Sequence, residues 1–111
     1  MIRTVLDMRV RPGQAQEFER TWRAAAVVAG RYPGSLGQTM LREPADPLRY
    51  TITADWSSRE ELTRYQDSED RKALSAALDL LRESAAKSLY EVVAHIGAAT
   101  PTAPATEKGT A

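Results

Sequence analysis

The stretch from Leu48 to Trp56 constrains this chain more than any other. Leu48, Tyr50, Ile52, Ala54 and Trp56 alternate with Arg49, Thr51, Thr53 and Asp55, a period of two rich in β-branched and aromatic residues. Such a segment is a strand with one apolar and one polar face, so the chain has to supply a sheet and something to cover one side of it. A helix is expected directly afterwards. Ser57 with Glu60, or Ser58 with Glu61, forms a capping box in which the hydroxyl accepts from an orphan backbone N–H and the carboxylate reaches back to the N–H of the cap.

The same period of two runs through residues 2 to 11, with Ile2, Thr4, Leu6, Met8 and Val10 on one face and Arg3, Val5, Asp7, Arg9 and Arg11 on the other. Pro12-Gly13 breaks that strand. Phe18, Trp22, Ala25 and Ala29 then follow at spacings of four, three and four, which stacks them on one face of a helix, and Gly30 is its stop. After Tyr32-Pro33-Gly34, residues Ser35 to Arg42 read as a short strand, and Pro44-Ala45-Asp46-Pro47 as the turn of a hairpin. In the second helical region Leu62 and Tyr65 share an inner face, the polar run Gln66 to Asp70 interrupts it, and Leu74, Ala77, Leu78, Leu81 and Ala85 resume a stripe. One broken helix or two consecutive ones would both fit. Residues 88 to 96 read as extended, with Tyr90, Val92, Ala94 and Ile96 on one face and Leu89, Glu91, Val93 and His95 on the other. The domain is expected to span residues 1–97. Residues 98–111 are mostly Ala, Thr, Pro and Gly without a large apolar side chain, so a disordered tail is expected.

The order strand, helix, strand, strand, helix, strand predicts an α+β fold of ferredoxin-like βαββαβ topology, a four-stranded antiparallel sheet with the helices on one face. Leu89 and Val93 place apolar side chains on the second face of the last strand, which suggests that a second copy packs sheet to sheet as a homodimer. Two scattered exposed apolar residues are the alternative.

Composition narrows the function. At 111 residues the chain fits one domain, which buries only about two thirds of its unfolded surface, so dimerisation would help. Fifteen basic and fifteen acidic residues are intermixed, which leaves no footprint for a nucleic-acid backbone. Cysteine is absent, excluding disulfides, thiolate metal sites and a cysteine nucleophile. Met1 to Arg11 is no signal peptide, and the longest small-apolar run, Ala24 to Gly30, is too short for a bilayer, so no membrane partner is expected and the default location is the cytoplasm. No GxSxG elbow, GxGxxG, P-loop or HExxH occurs, and a single histidine cannot complete a metal site.

The run Tyr50-Thr51-Ile52-Thr53-Ala54-Asp55-Trp56-Ser57-Ser58-Arg59-Glu60-Glu61-Leu62, a strand ending in Trp that passes into an amphipathic helix, resembles the antibiotic biosynthesis monooxygenase family, as does the Pro33-Gly34 turn. The resemblance covers residues 2 to 96. It implies a dimeric α+β barrel with a pocket between sheet and helices. Family members with an established reaction oxidise aromatic polyketides such as anthrones to quinones with O2 and without metal or flavin, so the resemblance implies no cofactor and a small aromatic substrate. Haem-degrading relatives carry a histidine about ten residues after the strand-end Trp, where this chain has Gln66, so haem is not expected. Cyclases and proteins without a known reaction share the fold.

By that resemblance Trp56 and Tyr65 are candidate catalytic residues, the indole offering a stacking face and an N–H, the phenol a hydrogen bond or a proton. Core packing alone would also keep a tryptophan at 56. The characterised monooxygenases place a tyrosine nearer to the Leu62 position and an asparagine nearer to Ile52, and their helix arginine finds its nearest match in Arg71. Ile52, Leu62, Arg71, Tyr50 and Tyr90 are expected to line the pocket, the two tyrosines from the apolar faces of their strands. His95, the only histidine, is the one side chain that can shuttle a proton near neutrality without tuning, although its strand face also suits an interface. Trp22 reads as core, and Arg3, Arg9 and Arg11 as a solvated strand face.

Overall fold

The computed structural model of the protein describes residues 1–99. Its elements in chain order are β1 (Ile2–Val10), α1 (Ala15–Ala29), β2 (Ser35–Glu43), β3 (Asp46–Trp56), α2 (Arg59–Gln66), α3 (Glu69–Asp79) and β4 (Arg82–Glu91). The strands form one antiparallel sheet in the order β2-β3-β1-β4, with β3 and β1 central, which is the expected ferredoxin-like topology. Alternation on the central strands sorts the side chains. Ile2, Met8 and Val10 of β1 and Tyr50, Ile52, Ala54 and Trp56 of β3 are buried under the helices. On the open face their neighbours pair with one another: Arg3 holds Asp55 through two hydrogen bonds of 2.7 and 2.9 Å, and Thr51 donates to Asp7 at 2.6 Å.

The second helical region is two helices. Ser68 ends one and starts the other, donating to the Tyr65 carbonyl at 2.6 Å and accepting from the Arg71 N–H at 3.1 Å. Ser58 is the cap of α2 and accepts from the Glu61 N–H at 3.2 Å. The Glu61 carboxylate, expected on a backbone N–H, instead accepts from the hydroxyls of Ser57 and Ser58. Gly34, at φ +88°, lies against the Glu61 side chain where a Cβ would collide, and its carbonyl accepts from the Ser57 N–H at 2.9 Å. That contact ties the turn before β2 to the start of α2, and only glycine suits it.

Three boundaries differ from expectation. β3 starts at Asp46, so Pro47 lies within a strand. Pairing with β1 begins only at Arg49, and the β2 register shifts between Arg42 and Glu43, so no ladder bond is lost at the proline. β4 runs over 82–91, not 88–96: α3 stops at Asp79, and the Ala85 that prolonged its stripe sits in a strand opposite Met8. No glycine or proline marks this transition, and pairing along the whole of β1 overrides the helical preference of Ser84-Ala85-Ala86. Residues 92–99 carry no regular structure beyond one bond from the Val92 N–H to the Met1 carbonyl at 2.9 Å. From residue 100 onward the expected tail lies outside the described residues.

The β4 register also corrects its faces. Leu89 lies opposite Thr4 and Lys87 opposite Leu6, so both take the helix side, whereas Tyr90 lies opposite Arg3 on the open face. Leu89 therefore adds nothing apolar to the open face, and Val93 falls beyond the strand.

Candidate active site

The buried residues form two clusters. One gathers Ile2, Ala29, Ala54, Trp56, Leu62 and Tyr65, the other Met8, Val10, Phe18, Tyr50, Ile52 and Leu78. A cavity of about 60 Å³ lies along the seam between them. Helical spacing explains how the helices reach it: Leu62, Tyr65 and Gln66 of α2, and Arg71, Leu74 and Leu78 of α3, lie three or four residues apart and so project from single faces.

At the α2 end, Trp56 and Tyr65 stack with ring centroids 5.1 Å apart and planes 21° from parallel, and Tyr32 meets Tyr65 edge-on at 5.1 Å. Trp56 is 1% and Tyr65 8% exposed. Buried donors normally find acceptors, as when the Tyr32 hydroxyl donates to Asp70 at 2.7 Å. Among the described residues neither the Trp56 indole N–H nor the Tyr65 hydroxyl has such a protein partner, though both side chains border the cavity. Burial pushes the Tyr65 phenol above its ordinary pKa, with Arg71 opposing in part. The phenol thus stays protonated at neutral pH and acts as a donor.

Two cations face the same space. Arg71 lies in the first turn of α3, and Lys87 lies on the helix side of β4. Lys87 is exposed at the sheet edge, yet its ammonium is shifted below the ordinary lysine value, first by desolvation beside the cavity and then by Arg71. No aspartate or glutamate borders the cavity. Sequence reasoning missed Lys87 because it placed the last strand too late. Its spacing of two from Ala85 and Leu89 was the signal that it shares their face.

Tyr50 is buried elsewhere, at a more open cleft of about 480 Å³ shared with Glu19, Trp22, Met40 and Arg42. Its hydroxyl donates to Glu19 Oε2 at 2.6 Å, and Arg42 reaches the same oxygen at 3.4 Å. Trp22 borders both the cleft and the cavity. The structure therefore brings Trp56, Tyr65, Ile52, Leu62 and Arg71 together around one space and leaves three expected residues out of it. Tyr50 lines the cleft. Tyr90, 55% exposed, is on the opposite side of the sheet. His95 lies exposed beyond the end of β4, because that strand ends at Glu91.

On the scale where one water needs about 10–15 Å³, the cavity holds a few waters, well short of the several hundred Å³ typical of drug-sized ligands. A fused aromatic ring enters only if a wall moves. Trp22, half-buried, is the one residue that lines both the cavity and the cleft. Among the described residues no group of three or more His, Asp or Glu side chains is arranged to hold a metal ion. No described helix is long and apolar enough to cross a membrane.

The family described as antibiotic biosynthesis monooxygenase matches residues 1–77 of the chain. Among solved structures, a variant of SnoaB, a cofactor-independent oxygenase from Streptomyces nogalater, superposes with a TM-score of 0.80 at 23% identity, covering 86% of this chain and 95% of that one. An antibiotic biosynthesis monooxygenase gives a TM-score of 0.76 at 15% identity, covering 85% and 100%. A conserved protein from Methanosarcina mazei Go1 gives 0.76 at 20% identity, covering 80% and 89%. At these identities the likeness establishes the fold. No functionally curated protein matches the sequence significantly.

Proposed function

The chain belongs to the antibiotic biosynthesis monooxygenase family, and from that premise we propose that it is a cofactor-independent monooxygenase acting on an anthrone-like or phenolic aromatic polyketide in secondary metabolism. The observation that supports this most is the pair of buried donors, Trp56 N–H and Tyr65 O–H, that have no partner among the described residues and belong to two stacked side chains bordering the cavity. Such donors are costly to bury unless a ligand or an ordered water accepts from them. A flat aromatic ring carrying a carbonyl or phenolate oxygen would extend the stack and satisfy both.

The chemistry asks little more. Loss of a proton from an anthrone gives an anion that passes one electron to O2. Superoxide and the carbon radical combine to a peroxide anion, which takes up a proton and loses water as the carbonyl forms, so anthrone and O2 become quinone and water. The protein's part is to hold the ring, to stabilise the anion with the protonated Tyr65 and the two cations, and to keep bulk water away. Loss of bulk water falls to Leu62, Leu74 and Ile52, which wall the cavity. His95, exposed and distant from this wall, has no part in the reading.

A homodimer is part of the proposal. Leu41 and Tyr90 are 50% and 55% exposed on the open face of the sheet, and a second copy packed there would cover both. The cytoplasm is the proposed location.

Oxygen uptake tests the reading. Purified protein mixed with anthrone should consume one O2 per quinone formed, with the rate insensitive to chelators and to added flavin. The Trp56→Phe and Tyr65→Phe variants should lose rate while keeping affinity. Binding without oxygen uptake would instead favour a polyketide cyclase or a non-catalytic ligand-binding protein. The apolar Ile52, where the oxygenases carry a side-chain amide nearby, is the feature that favours those readings.

A further inference from the structure

The charges around the cavity are one-sided. Arg71 comes from the helix layer and Lys87 from the sheet, and the remaining polar lining is Thr4, Gln38, Gln66 and Tyr65, with no carboxylate. Several acids of the described chain are engaged elsewhere: Asp55 with Arg3, Glu19 with Tyr50 and Arg42, Asp79 with Arg82, Asp70 with Tyr32, and Glu61 with its two serines. Conversely, neither Lys87 nor Arg71 forms an ion pair among the described residues, whereas Arg3, Arg9, Arg20, Arg42 and Arg82 each do. The two cations sense each other across the space, since Arg71 helps to depress the Lys87 ammonium. Two like charges turned toward one cavity repel unless an anion lies between them.

We propose that Lys87 and Arg71 form an anion-binding pair at this cavity, so that the preferred ligand is an aromatic ring bearing a carboxylate. The ring stacks beside Trp56 and Tyr65 while the carboxylate accepts from the two cations, a charge-assisted contact that a neutral ring cannot make. The inference rests on reading the cavity as the substrate site, and it narrows the substrate from aromatic polyketides in general to acidic ones. Lys87 lies beyond the residues 1–77 matched by the family. An edge-strand lysine also discourages strands of other molecules from pairing, a role that would leave ligand choice untouched.

Titration of the full chain with 2-naphthoate and with 2-naphthamide, followed by tryptophan fluorescence, separates these roles. The expected result is at least tenfold tighter binding of the carboxylate at low salt, a preference that shrinks as salt rises. Lys87→Gln and Arg71→Gln should each bring the two affinities close together without weakening the amide, and Lys87→Arg should preserve the preference. Equal affinities in the unaltered protein, an unchanged ratio in Lys87→Gln and Arg71→Gln, or no binding of either compound would overturn the proposal. Oxygen uptake with anthrone is read separately. A carboxylate preference without uptake sinks the oxygenase reading alone, and uptake without the preference sinks this one alone.

Discussion

The two halves of the core each bury a tyrosine, and the fates of the two hydroxyls differ. Tyr50, packed on Phe18 at 5.1 Å, donates to Glu19, which Arg42 holds from the other side. Tyr65, packed between Trp56 and Tyr32, donates to nothing among the described residues and borders the cavity. Burial raises the pKa of both phenols, so both are donors at neutral pH. One half therefore satisfies its buried tyrosine hydroxyl within the chain. The other leaves two donors without a partner among the described residues, the difference on which the proposed site rests.

The largest expected effect comes from removing the unsatisfied hydroxyl. Tyr65→Phe should lower kcat for anthrone oxidation about 100-fold, the loss that follows deletion of one donor to a developing oxyanion, or about 2.7 kcal/mol. Its Tm should stay the same or rise, because an orphan donor leaves the core. Tyr50→Phe should do the reverse. It strips a carboxylate of its 2.6 Å hydrogen bond, which costs about 1.5–3 kcal/mol and lowers Tm by about 4–8 °C per kcal/mol, while turnover stays within about threefold. Thermal melts and oxygen uptake on the two variants decide the matter. A Tyr65→Phe protein that melts lower and turns over normally would erase the distinction between the halves.

Sequence pattern made one half of this more legible than the other. The alternation of Leu48 to Trp56, the stripe of Phe18 and Trp22 and the serine cap before α2 are local signals, and the sheet and its helix-covered face follow from them. The last strand was harder. Alanine-rich 84–86 reads as helix locally, and only the need of β1 for a partner along its whole length turns it into strand. A strand begun six residues late moved Tyr90 onto the wrong face, carried His95 into a strand it does not join and hid Lys87 altogether. Whether a buried hydroxyl has a partner is set by residues far apart in sequence, such as Glu19 for Tyr50, and no period reveals it.

The next effect is a pH dependence. Lys87 has to be charged to hold a carboxylate, and desolvation with Arg71 places its loss of charge below the ordinary lysine value. Naphthoate affinity should therefore fall about three- to tenfold as pH rises through that lowered value. Tyr65, at the same cavity, is shifted the other way, above its ordinary value, chiefly by burial. In Lys87→Gln the affinity should be flat there. Stability runs the other way: the folded chain binds this proton less tightly than the unfolded one, so the penalty on the charged lysine is lifted as pH rises through the lowered value.

The smallest effect belongs to His95. If it shuttled protons for the reaction, His95→Ala would remove a limb near neutrality from the rate profile. Its position beyond β4, exposed and away from the cavity, predicts instead a rate within twofold of the unaltered protein and the same profile between about pH 5.5 and 8. Its charge is felt on the open face of the sheet. There Asp55 is held below the usual carboxylate range, first by the hydrogen bond from Arg3, then by the charge of Arg3 and after it that of His95, with desolvation opposing. A depressed carboxylate contributes stability above its ordinary pKa and loses it as pH falls through the lowered value, so His95→Ala should move the acid limb of a melting profile slightly upward. A change in the neutral limb of the rate, with that acid limb unmoved, would return His95 to the site and undo the assignment of the two faces.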